Sequence, residues 1–245
     1  MKSSKICVII PTYNNGKTLT SVIDSVLQYV NDVVVVNDGS TDNTNEILYP
    51  YKDKIKIVSY STNKGKGYAL KCGFDFAREQ GFRYALTFDS DGQHYAEDIQ
   101  KFIEATEKYP DALIIGNRNL VHSNMPKKNS FANRFSNFWF ALHTGIRLPD
   151  TQTGIRLYPL EKMKQLTPFT SRYEAELEML VRCAWRGIKI VSLPVKVYYA
   201  PDGERVSHFR PGTDFLRISL LNTLFTILAV VYGYPRKFSR LLFKK

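Results

Sequence analysis

The chain has 245 residues, is 44% hydrophobic, and carries 34 Lys and Arg against 23 Asp and Glu, a formal net charge of +11. That length and apolar content support one substantial core and fit a single α/β domain with additions better than two separate domains. Cys7, Cys72 and Cys183 are too scattered for a disulfide framework or a metal motif and predict a reducing compartment, while the positive charge comes with no RNA- or DNA-binding motif and so points away from nucleic acid.

Met1 to Lys5 lead straight into an apolar strand, too short a segment for a signal-peptide core, which predicts a cytoplasmic protein. Ile6 to Ile10 reads as a buried strand. Leu19, Val22, Ile23, Val26, Leu27 and Val30 then fall at helical spacing, and Val33 to Val36 is a second uninterrupted apolar strand. A helix from Asp42 to Leu48 follows, then a strand from Lys54 to Ser61. Next come a glycine-rich turn and a helix bearing Ala69, Leu70, Gly73, Phe74 and Ala77. Strand Tyr84 to Phe88 ends at Asp89, Ile99, Phe102 and Ile103 mark the next helix, and strand Ala112 to Ile115 ends at Gly116-Asn117-Arg118. Strands alternating with helices predict a mostly parallel sheet covered on both faces.

Beyond Arg118 the composition turns to a polar, basic loop with Pro126 and then to an aromatic helix with Phe131, Phe135, Phe138, Trp139 and Phe140, an acceptor region by its character. A helix from Glu174 to Trp185 and a strand from Ile188 to Tyr199 return to regular structure, with Pro194 placing that strand at an edge or bulge. Ile218 to Tyr234 is free of charge, a helix of roughly 25 Å against a bilayer core of about 30 Å. Ser219, Asn222, Thr223 and Thr226 stripe one face, and Arg217, Arg236, Lys237, Arg240, Lys244 and Lys245 flank it. That pattern suits a helix lying in a membrane interface better than one crossing it, with packing on the domain or an oligomer contact as the alternatives.

The chemistry gathers at strand ends. Parallel strands bring their carboxyl ends together, so the loops Pro11-Thr12-Tyr13-Asn14-Asn15, Asn37-Asp38-Gly39-Ser40-Thr41-Asp42 and Asp89-Ser90-Asp91-Gly92-Gln93-His94 converge on one crevice. A tyrosine ring suits a base, Asp38 suits base or ribose donors, and the Asp89 and Asp91 carboxylates suit Mg²⁺ or Mn²⁺ holding a diphosphate. Asp42, ahead of a helix, reads as a cap. Lys64-Gly65-Lys66-Gly67 lacks the Walker spacing, and no Gly-x-Gly-x-x-Gly follows the first strand, which argues against a dinucleotide oxidoreductase. His208 lacks partner histidines for a metal site.

These segments, with Asn63-Lys64-Gly65-Lys66-Gly67, Gly116-Asn117-Arg118 and Asp150-Thr151-Gln152-Thr153-Gly154, occur in an order that resembles family 2 glycosyltransferases of the GT-A fold. Within that family the chain is similar to polyprenyl-phosphate sugar synthases of the dolichol-phosphate mannosyltransferase type. The resemblance implies an α/β, Rossmann-like mixed and mostly parallel sheet with helices on both faces. That GT-A domain would span 1–212, divided into a nucleotide-sugar half at 1–118 and an acceptor half at 119–212, before an amphipathic membrane-associating segment at 213–245. It implies inverting transfer of a hexose from a GDP- or UDP-sugar to a polyprenyl phosphate, by a peripheral enzyme on the inner face of the cell membrane. By the same resemblance Pro11, Tyr13, Asn15, Asp38, Lys66, Asp89 and Ser90 bind nucleotide, Asp89, Asp91 and Gln93 bind metal, and Arg118 and Arg134 bind the acceptor phosphate. The segment Ser207 to Pro211 resembles a family loop from which Arg205 or Arg210 closes over the diphosphate. Asn15 stands where the lipid-phosphate enzymes usually carry Glu, which leaves the nucleotide open.

A phosphate acceptor is already an anion and needs cations to position it. A lipid or saccharide hydroxyl, the alternative acceptor in cell-envelope glycan synthesis, would need a general base, for which Asp150, Glu174 and Glu176 are the candidates. Asp89, Asp91, Asp150 and Glu174 make up the predicted catalytic set. A non-catalytic nucleotide or nucleic-acid binding module is the reading from a different class. The exposed aromatic surface serves lipid or a second copy of the chain equally, so a homo-oligomer stays open.

Overall fold

The computed structural model describes residues 5–118, 127–199 and 210–242. Arg205, His208, Lys244, Lys245 and the loop around Pro126 lie outside the described residues. Three strands, β1 (Ile6–Thr12), β2 (Val33–Asp38) and β4 (Tyr84–Thr87), are buried at every position, as near-continuous apolar runs require of strands covered on both faces. With β3 (Lys56–Tyr60), β5 (Leu113–Arg118), β6 (Arg156–Pro159) and β7 (Ile190–Val195) they form one sheet of order β3-β2-β1-β4-β6-β5-β7.

Side chains alternate between two cores. Cys7 and Ile9 point to the face covered by α3 (Lys66–Glu79), α5 (Lys127–Thr144) and α6 (Glu174–Trp185), whereas Ile6, Val8 and Ile10 point to the face covered by α1 (Gly16–Leu27), α2 (Thr44–Leu48) and α4 (Asp98–Lys108). Cys7 and Cys183 are free and buried, and burial pushes both thiols up to about 12. β1 lies between β2 and β4, so the strand order reverses there and a crevice opens at the carboxyl ends.

Three features depart from the sequence reading. β6 is an unforeseen strand, antiparallel to both β4 and β5, with Leu157 opposite Leu86 and Arg156 opposite Thr87. Its entry brings the Thr153-Gly154 turn beside the end of β4. The last strand is shorter than Ile188 to Tyr199 but does occupy the sheet edge, where Pro194 needs no ladder partner.

The third concerns the charge-free helix, which is longer than its apolar stretch. α7 (Pro211–Leu228) passes through a π-helical turn at Ala229–Gly233 into α8 (Tyr234–Leu242), and it packs on α5 and α6. Its polar stripe is divided: Thr223 is exposed, but Asn222 is buried, and the His143 ring of α5 lies 3.2 Å from both the Asn222 carbonyl and Thr226 Oγ1. Leu216, Leu220, Leu224, Ile227 and Val231 are among the residues left outside.

Candidate active site

Side-chain hydrogen bonds stitch the three loops of the crevice together. Asn14, at φ 51°, accepts from the Thr41 and Asp42 amides at 2.8 and 3.3 Å, and its own amide donates to Ser40 Oγ at 3.0 Å. Asp42 accepts from the Gly16 and Thr44 amides, capping the starts of α1 and α2 at once. Burial disfavours its charge, yet these bonds hold the carboxyl below the usual carboxylate range. Asn15 Nδ2 donates to Ser90 Oγ at 2.8 Å, Ser90 Oγ donates to the Pro11 carbonyl at 2.9 Å, and Thr18 Oγ1 donates to the Ser90 carbonyl at 2.6 Å. The β1 loop thereby fixes the acidic loop.

Asp38 organises the glycine-rich turn. Its carboxylate accepts from the Lys64 amide (2.7 Å), the Gly65 amide (2.8 Å) and Asn63 Nδ2 (2.9 Å), leaving little acceptor capacity for a ligand. Gly65, at φ +99°, is the position in that turn where a side chain would be strained and would also strike the Ser171 carbonyl.

The turn delivers Lys66 to the acidic pair. Lys66 Nζ sits 2.7 Å from Asp89 Oδ1 and 2.9 Å from Glu176 Oε2, with only 17% of its side chain exposed. Burial opposes the ammonium, but the two carboxylates outweigh it and keep Lys66 above the ordinary lysine range. Burial likewise opposes the Asp89 charge, and Lys66, His94 and Arg156 together hold its carboxyl below the usual range. Asp91 goes the other way: burial first, and the Asp89 charge second, push it up to about 6. Burial pushes the His94 imidazole behind them down to about 4.

Beneath the pair lies Arg156, 1% exposed, donating to the carbonyls of Thr151, Thr153 and Glu176. It ties the Thr151-Gly154 turn to α6. A Cβ added to Gly154 would overlap the Asp89 carboxylate, so the turn forms the wall that fixes where Asp89 points. Gly154→Ala is expected to turn Asp89 away from Lys66 and lower kcat/KM about a hundredfold, the scale of a displacement near 1 Å. Initial rates read beside a melting curve check this: unchanged rates would mean that the wall gives way.

These groups line a cavity of about 420 Å³. Pro11, Tyr13, Asn15, Asp38 and Lys66 are on its wall, as are Asp89, Ser90, Asp91, Gln93 and Arg210. Asn15 Oδ1 is buried there with no hydrogen-bond partner among the described residues. Asp150, Glu174, Arg118 and Arg134 are not among the described lining residues. Asp150 is fully buried and grips Arg118 through Nε (2.6 Å) and Nη2 (2.9 Å). Glu174, 4% exposed, places Oε1 3.5 Å from Arg217 Nη1 and so joins α6 to α7. Arg134 is exposed on α5. Arg172 and Tyr173, at the entrance to α6, line the cavity although no motif marks them.

Among the described residues no group of three or more His, Cys, Asp or Glu is arranged for a metal ion. The donors at hand still fit a hard divalent cation that takes one or two carboxylates and completes its shell with phosphate and water. Two crowded carboxylates, one of them reluctant to ionise, form a site short of positive charge, and the Gln93 side chain stands on the same wall.

Reversed strand order, an antiparallel sixth strand and an acidic loop at the switch point define an α/β domain of the GT-A type. Residues 7–165 match the model of glycosyl transferase family 2, and the chain belongs to that family. It is 29% identical over 220 residues to the UDP-N-acetylglucosamine--dolichyl-phosphate N-acetylglucosaminyltransferase of Methanococcus voltae, across 81% of this chain and 88% of that protein. It is 26% identical over 205 residues to the polyprenol monophosphomannose synthase of Mycolicibacterium smegmatis, across 79% and 77%. Its fold is shared with glucosyl-3-phosphoglycerate synthase from Mycobacterium tuberculosis, solved with Mn²⁺, uridine-diphosphate-glucose and phosphoglyceric acid. That match has TM-score 0.64 and 20% identity, and covers 93% of this chain and 79% of that one. The chain is therefore a glycosyltransferase, and the reading as a non-catalytic binding module is set aside.

Proposed function

We propose that the enzyme moves a hexose from a GDP- or UDP-sugar to a polyprenyl phosphate at a membrane surface. One observation carries this reading: Arg210, on the cavity wall, opens a helix with a broad exposed apolar surface (Phe215, Leu216, Leu220, Leu224, Ile227, Val230 and Val231), interrupted by the exposed Arg217 and Thr223. Gly212 to Leu242 is long and apolar enough to cross a bilayer by length and composition. Its inner side, however, buries Leu221, Phe225 and Ala229 against the catalytic domain, and crossing would strip those contacts. A helix lying flat, with residues 213–242 as the membrane-associating segment, keeps them. Lipid-phosphate acceptors in the names of both relatives support the same acceptor class.

In this reading Tyr13 and the Asp38-braced turn hold the nucleoside, and the buried Asn15 oxygen accepts from it. Asp89, Asp91 and Gln93 would hold Mg²⁺ or Mn²⁺, which supplies charge neutralisation for the departing diphosphate. Lys66 and Arg210 present further positive charge to the same cavity. An anionic acceptor oxygen forms its bond to the anomeric carbon as the bond to the diphosphate breaks on the opposite face. The electron pair leaves with the diphosphate oxygen, and no proton need move. A base is not required in this reading; Asp150 is paired with Arg118, Glu174 with Arg217 and Glu176 with Lys66, while Glu174 Oε2 and Glu176 Oε1 have no hydrogen-bond partner among the described residues. Arg118, at the end of β5 and oriented by Asp150, and Arg134, on α5, would meet the acceptor phosphate.

The test is transfer of labelled sugar from each of several GDP- and UDP-sugars to undecaprenyl phosphate with Mn²⁺, preceded by a thermal-shift panel of the nucleotides. Lipid-extractable label with one donor is the expected result. Labelled product appearing only on a hydroxyl acceptor, or with no donor at all, would overturn the reading.

A further inference from the structure

A second cavity, of about 730 Å³, lies at the other end of the sheet. Its walls come from the end of α4 and the turn into β5 (Lys108 to Ala112), the turn from α6 into β7 (Arg186 to Lys189) and the π-helical turn with α8 (Tyr232, Arg236). Those are the amino ends of β5 and β7, so a strand length of about 20 Å separates it from the carboxyl-end cavity that holds Asp89. It is not an extension of the active site.

Lys108, Lys162, Arg186, Lys189 and Arg236 face this cavity, and Asp111 is the one carboxylate among its lining residues. Asp111 serves Lys162, at 3.2 Å. The other four cations have no carboxylate partner among the described residues. Neutral groups hold several of them in place. Lys108 and Lys189 sit over the Tyr109 ring, with Nζ 5.4 and 4.8 Å from its centroid. Arg186 Nη2 donates to the Gln165 carbonyl at 3.3 Å, and Arg236 Nη1 donates to Tyr232 Oη at 2.9 Å. Cations positioned by neutral partners keep their charge for a ligand.

The surroundings name the ligand. Tyr232, on the rim, belongs to the exposed apolar face that continues through Val230 and Val231, and Phe238 and Leu242 extend exposed apolar surface beyond it. A basic cavity continuous with such a face complements a molecule with a phosphate at one end and hydrocarbon at the other. We propose that this cavity binds the phosphate of an anionic phospholipid headgroup. The helix runs from Arg210 at the catalytic cavity to Arg236 at this one, about 40 Å along its axis. Clamping its far end would hold the catalytic mouth level with the lipid surface. The proposal rests on the membrane-surface reading above.

Co-sedimentation of the full chain with vesicles of phosphatidylcholine, alone or mixed with phosphatidylglycerol, tests it. The variants are Arg186→Glu with Lys189→Glu, the milder Lys108→Gln with Lys189→Gln, and Leu220→Glu with Leu224→Glu on the apolar face. Wild type is expected to prefer the anionic vesicles by about tenfold or more, since each cation near such a surface contributes substantially. Both cavity pairs should erase that preference while leaving phosphatidylcholine binding and sugar transfer in detergent micelles unchanged, and inorganic phosphate should not abolish it. Cavity variants that retain the preference, or a preference abolished by inorganic phosphate, sink the lipid site. If the Leu220/Leu224 pair then loses both vesicle types, the membrane reading survives that failure. A Leu220/Leu224 pair that binds both vesicles like wild type removes the membrane reading, and this site with it.

Discussion

Replacing Asp89 or Asp91 with asparagine is expected to lower kcat/KM for sugar transfer about a thousandfold, close to 4 kcal/mol of lost transition-state stabilisation. The change is nearly isosteric, so it removes charge and leaves shape. The two variants should nevertheless part company in stability. Asp89→Asn deprives Lys66 of one of its two carboxylates, in a site where burial already opposes the ammonium. Its melting temperature should fall.

Asp91→Asn should do the opposite. The Asp91 carboxyl is raised to about 6, so its ionised form is disfavoured in the folded chain relative to the unfolded one. For an acid raised in this way the folding penalty is full above the folded value and disappears below the unfolded one, so at neutral pH asparagine relieves it. A higher melting temperature in chelator-treated protein, beside a thousandfold loss of rate, is the expected signature. Titration of Mn²⁺ followed by its paramagnetic spectrum should show weakened binding in the same variant. Wild-type kcat/KM in Asp91→Asn would remove the acidic pair from the chemistry.

Much of this site was legible because its residues occupy loops at the ends of parallel strands, and those strands announce themselves. Val33 to Val36 and Ile6 to Ile10 are apolar without a break, and burial on both faces is the only environment that suits them. β6 gave no such signal: Arg156-Leu157-Tyr158-Pro159 is short, begins with a cation and ends in proline. Its strand character comes from the neighbours that pair with it. The same limit applies to Asp150 and Glu174, whose residue type suits a base but whose partners, Arg118 and Arg217, are distant in sequence. Helical periodicity placed Asn222 and Thr226 on one face, yet period alone does not say which medium a face meets. His143, far away on α5, decides that.

Arg156→Met should be the most damaging single change to the fold. The guanidinium is almost wholly buried and serves the Thr151, Thr153 and Glu176 carbonyls, with Glu176 Oε1 3.9 Å away. Methionine fills much of the volume but satisfies none of these acceptors, and breaking a buried ionic network from one side costs about 3 kcal/mol or more. In a chain of this size that corresponds to a drop of roughly 10 °C in melting temperature. Arg156→Lys keeps the charge, but one ammonium cannot span acceptors arranged around a planar fork, so it should recover only part of the loss. Activity adds a second readout. The turn that Arg156 anchors ends at Gly154, against the Asp89 carboxylate, so the folded fraction of Arg156→Met should also transfer sugar slowly. A methionine variant melting within about 2 °C of wild type would show that the carbonyls find other partners. The acidic loop would then owe its position to the bonds that join Ser90 to Asn15, Pro11 and Thr18 and to the Lys66 contact with Asp89.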